Sequence, residues 1–230
     1  NKENKEIWKT LYKRQVNNLL ENKMAVAEFW NGLGRLKIID EIPKISNLNK
    51  LLKENNSVFK LIPVSGIIPD DLFFSMFKKG QFPTTVWLRD KESIDYIEEP
   101  DMFHDIFGHV PFLINPSYCH FLMKIGDYGE KIFKSNSEKE RQYKMSRLYW
   151  YTIEFGLIRQ KRHEFKIFGS GILSSYEESK KALSENSEKL NVTTTNNLLL
   201  RRFKKNDLQP FYAYIDKNIK FLNKININKI

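Results

Sequence analysis

Apolar residues recur at helical spacing near the start of the chain, where Ile7, Trp8, Leu11, Tyr12, Val16, Leu19 and Leu20 share one face. This pattern predicts an amphipathic N-terminal helix. A shorter helix follows Ser46, with Leu48, Leu51 and Leu52 on one side. Residues 58–64 are apolar and partly β-branched and read as a strand, which Pro63 confines to an edge or a strand end. Pro69 with Asp70 and Asp71 opens another helix that closes near Gly80. Residues 84–88 read as a short strand. Two long helices are expected, over residues 117–133 and 138–160. Ser175, with Glu178 three positions on, has the form of a capping box. PFYAYI reads as a last strand before a Lys-rich terminal helix. The pattern is mainly α with a few short strands. No repeat or Pro/Gly/Ser-rich linker divides it, so one domain is expected.

Composition narrows the class. With 230 residues, 41% hydrophobic and 13% aromatic, the chain is globular and can bury a sizeable core. Its single cysteine, Cys119, excludes an internal disulfide framework and suits a reducing compartment. No apolar run is long enough to span a membrane, and the charged start, NKENKEIWKT, has no secretory h-region. A cytoplasmic protein without a membrane partner is expected. The formal charge of +10 raises the question of nucleic acid. The lysines, however, are scattered among Asn and Glu, and the densest basic run, RRFKK, is short. A solvated basic surface is the better reading, and no nucleic-acid partner is expected.

The chemistry concentrates in PDMFHDIFGHVPF, which holds His104 and His109, two of the four histidines. Glu154 follows in LYWYTIEFGLI, where its neighbours from Leu148 to Ile158 are apolar or small except Thr152. A carboxylate in such a run needs a strong compensating partner, and a metal ion is one. Two imidazoles and one carboxylate match the ligand set of non-haem iron(II) oxygenases, and zinc also accepts these donors. Five residues apart on an ideal helix, two side chains stand roughly 140° apart. Both histidines reach one ion only if the helix ends or distorts, and Gly108 is expected to supply that freedom. A zincin would place its histidines four apart with Glu after the first, whereas Asp follows His104. Two core histidines and a buried ion pair remain the alternative at this point.

EPDMFHDIFGHVP and YWYTIEFGL together resemble the pterin-dependent aromatic amino acid hydroxylases, particularly the bacterial phenylalanine-hydroxylating branch. IWKTLYKRQ, LIPVSGIIPDDLFF, WLRD, FGSGILSSYEE and DLQPFYAYI resemble family segments in family order, over nearly the whole chain. The resemblance implies one catalytic domain over residues 1–230, mainly α-helical, without a regulatory domain or a full tetramerisation helix, and hence a monomer. It implies iron(II) held by His104, His109 and Glu154, and hydroxylation of L-phenylalanine to L-tyrosine with O2 and a tetrahydropterin.

It also implies further roles. Phe73 stacks on the pterin, and the backbone of Gly66, Ile67 and Ile68 meets the pterin edge. Arg89 holds the substrate carboxylate. Pro100, Tyr149, Trp150 and Phe155 line the slot for the substrate ring, while Asp101 and Ser174 orient the first histidine. Trp150 stands where tryptophan hydroxylases carry Phe. Ile97 departs from the Thr of animal relatives, which leaves more of the carboxylate contact to Arg89. Tyrosine or another aromatic amino acid stays open as substrate, since the discriminating loop near residues 203–207 does not align clearly. Outside the family, a zinc hydrolase or an inactive metal-binding protein would use the same ligands.

Overall fold

The computed structural model describes residues 2–95, 97–135, 137–204 and 207–229. The N-terminal periodicity forms helix α1 (Lys2–Glu21), which buries Ile7, Trp8, Leu11 and Leu19. Helix α2 (Ala27–Arg35) is absent from the expectations above, because two glycines in AEFWNGLGR weaken its helical signal. Tertiary contact explains one of them. A Cβ on Gly32 would lie 1.9 Å from the Pro111 carbonyl oxygen, so α2 rests directly on the backbone of the 3-10 turn Val110–Ile114. Helix α3 (Ile45–Glu54) is the short helix expected, and it buries Leu48 and Leu52.

Strands β1 (Lys60–Val64) and β2 (Gln81–Thr85) pair in parallel around helix α4 (Asp70–Lys78). Strand β2 lies three residues earlier than residues 84–88. Its last ladder bond is Val86 N–H to the Val64 carbonyl, after which the chain turns inward to bury Arg89. Helix α5 (Pro116–Phe133) begins at Asn115, whose side chain accepts from the Ser117 and Tyr118 N–H groups. It packs closely on α4, since Cβ atoms on Gly126 and Gly129 would meet Lys78 N and Phe74 Cγ at 2.5 Å.

The expected helix over residues 138–160 is half correct. Helix α6 (Lys139–Tyr149) passes into a π turn (Trp150–Glu154), and the chain continues as strand β3 (Gly156–Lys161). An apolar run of this kind satisfies either period, and Gly156 marks the boundary. A Cβ there would lie 2.2 Å from the Thr152 carbonyl. Strand β4 (Glu164–Ile167), helices α7 (Ser170–Leu173) and α8 (Tyr176–Leu183), and strands β5 (Glu188–Asn191) and β6 (Phe211–Asp216) complete the fold. The sheet has the order β4-β3-β6-β5, with β3–β4 antiparallel and the other pairs parallel.

The capping box forms by half. Ser175 Oγ accepts the Glu178 N–H at 3.3 Å, but the Glu178 carboxylate faces Gln209 and Tyr212 instead. The expected terminal helix is replaced by 3-10 turns over Ile219–Lys224 and Ile227–Lys229. Buried Ile219, Leu222 and Ile225 recur every third residue, which suits three residues per turn. Ile230 lies outside the described residues. The fold is mainly α, as the pattern indicates.

The two α2 glycines should respond oppositely to alanine. Gly32→Ala forces α2 off Pro111 and should lower stability by about 1–3 kcal/mol despite the better helix former. Gly34 is exposed, and a Cβ there would meet nothing within 4 Å, so Gly34→Ala should raise stability by about 0.5–1 kcal/mol. Urea midpoints of the two variants check both signs.

Candidate metal centre and substrate cleft

His104 and His109 begin and end a π turn (His104–His109). Its hydrogen bonds run five residues back, as in Val110 N–H to the Asp105 carbonyl. Residues five apart therefore come round to nearly the same face. Glu154 closes the second π turn, where Phe155 N–H donates to the Trp150 carbonyl at 2.8 Å. Gly108 acts differently from the expectation. Its φ is not positive, so backbone freedom is not its use. The missing side chain instead admits α7: a Cβ would lie 2.8 Å from the Ser170 carbonyl, and Ser170 Oγ donates to the Gly108 carbonyl at 3.0 Å. Helix α1 braces the turn from outside, with Trp8 edge-on to Phe103 and Tyr12 edge-on to Phe107.

The three side chains converge. His109 Nε2 lies 3.1 Å from His104 Nε2 and 3.1 Å from Glu154 Oε1, and His104 Nε2 lies 3.4 Å from Glu154 Oε2. Donors on adjacent corners of an octahedron at about 2.1 Å from the ion stand about 3 Å apart. The separations are thus those of three ligands on one face around a single first-row metal ion. Burial alone would raise the Glu154 carboxyl, but the His109 and His104 rings and the nearby Tyr149 phenol outweigh it and hold the group down to about 2. Burial lowers His104, with Glu154 opposing. An ionised carboxylate beside a neutral imidazole is the protonation state a divalent ion requires.

Ser174 fixes the His104 tautomer. Its hydroxyl donates to the Ser170 carbonyl at 2.8 Å, so at 3.0 Å from His104 Nδ1 it must accept. The ring proton therefore sits on Nδ1, and the Nε2 lone pair points into the centre. His109 Nδ1 is buried without a partner among the described residues. Its ring is held by packing on Phe82, 5.0 Å away.

Arg89 is buried and its fork is engaged by Asp101, with Nε to Oδ2 at 2.8 Å and Nη2 to Oδ1 at 3.0 Å. Asp101 also accepts the backbone N–H groups of Arg89 and His104. One fully buried carboxylate thus joins the arginine to the first turn of the metal-bearing segment. Among the described residues Nη1 reaches only the Ile94 carbonyl, at 3.4 Å, and the Nη1–Nη2 edge keeps N–H groups for a ligand. Pro100, beside Asp101, is exposed.

Tyr149 links the candidate pterin wall to the centre. It stands edge-on to Phe73 at 5.2 Å and close enough to Glu154 to affect its charge. Phe73 itself is half-buried on α4. Gly66, Ile67 and Ile68 form the bend leading into α4, and Ile67 is 71% exposed. Trp150 stacks on Phe155 at 4.7 Å and on Phe203 at 4.2 Å. In the loop over residues 203–207, Lys205 and Asn206 lie outside the described residues. Gln209 received no role from the sequence, although its side chain meets the Trp150 indole. A polar residue two positions before the apolar strand β6 was the available signal.

A model of the biopterin-dependent aromatic amino acid hydroxylases matches residues 1–227. The chain is 44% identical to the phenylalanine-4-hydroxylase of Chromobacterium violaceum over 173 residues, covering 75% of this chain and 56% of that protein. It is 37% identical to the Ralstonia nicotianae phenylalanine-4-hydroxylase over 210 residues, covering 91% of this chain and 64% of that protein. The chain therefore spans somewhat over half the length of these relatives. The crystal structure of the Chromobacterium violaceum phenylalanine hydroxylase with bound iron(III) and oxidised 7,8-dihydrobiopterin superposes with a TM-score of 0.89 at 36% identity, covering 100% of this chain and 81% of that one.

Ser174→Ala removes the acceptor that sets the His104 tautomer. Iron(II) affinity should fall about 10–100-fold, as for other outer partners of ligand histidines, with an unchanged melting temperature. Chelator competition measures the affinity, and an unaltered value would mean that Ser174 does not orient the ring.

Proposed function

Because the chain belongs to the biopterin-dependent aromatic amino acid hydroxylases, we propose that it is a phenylalanine 4-monooxygenase, converting L-phenylalanine to L-tyrosine with O2, iron(II) and a tetrahydropterin. The observation that carries this is the face of His104, His109 and Glu154 donors, in a chain that shares its fold with a relative holding iron(III) and 7,8-dihydrobiopterin. His104, His109 and Glu154 would hold the iron, with the remaining positions left to O2 and water. Bound together, iron and tetrahydropterin supply the activation of O2 that ring hydroxylation needs.

The chain's own residues bind and orient. Arg89, locked by Asp101, presents its outer N–H edge to the substrate carboxylate, a planar group that a planar cation grips in two places. Trp150, Phe155, Tyr149 and Pro100 wall the slot for the substrate ring, and apolar walls limit water at the reacting centre. Phe73 offers a ring face to the pterin, and the backbone of Gly66, Ile67 and Ile68 lies where the pterin edge would meet it. Ser174 keeps the His104 lone pair directed inward. Trp150 narrows the slot, which supports phenylalanine over tryptophan; tyrosine is the competing substrate within the family.

In this reading residues 1–230 form one catalytic domain that acts as a cytoplasmic monomer on a small molecule, without nucleic-acid or membrane partners. No helix among the described residues is long and apolar enough to cross a membrane, and the one thiol, Cys119, is free and buried.

Protein loaded with iron(II) and supplied with tetrahydropterin and O2 should form tyrosine from phenylalanine. A folded, iron-loaded sample that forms none sinks the proposal. His109→Ala should bring iron content to background while circular dichroism stays that of the parent. Arg89→Lys keeps the charge but loses the fork, so the KM for phenylalanine should rise about tenfold or more; an unchanged KM would remove Arg89 from the carboxylate site.

A further inference from the structure

The Trp150 indole has a polar attachment as well as its two stacked rings. Its Nε1–H donates to Gln209 Oε1 at 3.1 Å. Indole N–H is a donor only, so the side-chain atom facing it must be the amide oxygen, and the amide nitrogen necessarily points the other way. There Gln209 Nε2 donates to the carbonyls of Lys204 at 2.6 Å and Asp207 at 3.3 Å, on either side of residues 205–206. The Gln209 backbone N–H donates to Glu178 Oε1 at 3.0 Å, the same oxygen that accepts the Tyr212 hydroxyl at 2.5 Å. Gln209 is 3% exposed, and its amide oxygen, its amide nitrogen and its backbone N–H are all engaged.

These contacts join Trp150, a wall of the proposed ring slot, to the segment that carries Phe203. The amide oxygen sets the plane of the indole, and the amide nitrogen ties down the segment that lays Phe203 on it at 17° between ring planes. Phe155, which also stacks on Trp150, directly follows the ligand Glu154 in the chain. Trp150 and Glu154 are the first and last residues of one π turn, so the indole and the ligand share a backbone. Phe203, by contrast, has no polar anchor of its own on its phenyl ring, and its place depends on the backbone that Gln209 holds.

We propose that Gln209 is a positioning residue for the substrate's aromatic ring: by accepting the Trp150 indole N–H and holding the Lys204 and Asp207 carbonyls, it sets the tilt of the indole that walls the ring slot. The inference rests on Trp150 being a wall of that slot, as the proposed function has it. Ring selection then belongs to the Gln209–Trp150–Phe203 unit and not to the bulk of Trp150 alone.

A double-mutant cycle on the iron(II)-loaded protein tests this, with the L-phenylalanine Kd measured by calorimetry without O2. Gln209→Met keeps the volume and removes both polar contacts. It should weaken L-phenylalanine binding about tenfold, the size of effect left by an unpartnered buried N–H, with iron affinity unchanged. Trp150→Phe removes the indole N–H, and in that background Gln209→Met loses only the Lys204 and Asp207 contacts, so the Kd should change clearly less than in the parent, by about threefold or less. Equal effects in both backgrounds overturn the proposal and leave Gln209 as an anchor of the fold. Should Gln209→Met not fold, Gln209→Asn keeps an amide too short to span both contacts and enters the same cycle with the same expected non-additivity. A parent protein that neither binds L-phenylalanine nor forms tyrosine overturns the proposal together with the function it rests on. Binding and turnover by the parent with an additive cycle overturn this proposal alone.

Discussion

The centre depends on helical hydrogen bonds slipping from four residues to five at two places. In an ordinary helix His104 and His109 would stand roughly 140° apart. The slip at His104–His109 and again at Trp150–Glu154 puts three ligand atoms within 4.8 Å of one another. Such turns hold only where tertiary packing favours them. Here Phe103 and Phe107 stack at 4.8 Å beneath α1, and α7 lies against Gly108. The arrangement gathers a carboxylate and two imidazoles at a buried point, and a divalent ion is the partner that satisfies all three.

Two buried carboxylates carry this order outward. Asp101 accepts from the Arg89 side chain and from the backbone N–H groups of Arg89 and His104, so the buried guanidinium and the start of the His104–His109 turn share one support. Glu178 accepts from Gln209 and Tyr212, and burial pushes its carboxyl up. Ser174 meets His104 just before α8, and Glu178 within α8 holds Gln209 against Trp150. The segment FGSGILSSYEE thus braces His104 at one end and, through Gln209, the Trp150 indole at the other. Its glycines serve close approach: Cβ atoms on Gly169 and Gly171 would meet the Glu154 carbonyl oxygen at 2.5 and 3.1 Å.

Much of this was legible in the chain. The faces of α1 and α3 follow from spacing alone, and the extent of α5 and the strand at PFYAYI are also legible. Helix α2 was not legible, because Gly32 weakens the helical signal for the sake of a contact with a backbone 79 positions away in sequence (Pro111 minus Gly32). The end of α6 was not legible either, since LYWYTIEFGLI is apolar enough for helix or strand and only the neighbouring β6 decides that residues from Gly156 onward pair as a strand. The role expected of Gly108 was misplaced for a related reason: the sequence records that a side chain is missing there, not that Ser170 needs the room.

Read alone, the chain specifies the ligand types, their spacing and their apolar setting, and from these a metal centre on a mainly helical domain. Composition and local periodicity suffice for that because they report burial and side-chain chemistry residue by residue. It takes the folded molecule to reveal that the histidines share a face, that Arg89 spends one side of its fork on Asp101, and that Gln209 joins the indole to the Phe203 segment. Each of these depends on backbone atoms brought together from distant parts of the chain, and a backbone carbonyl or N–H has no residue type by which a sequence could reveal where it will point.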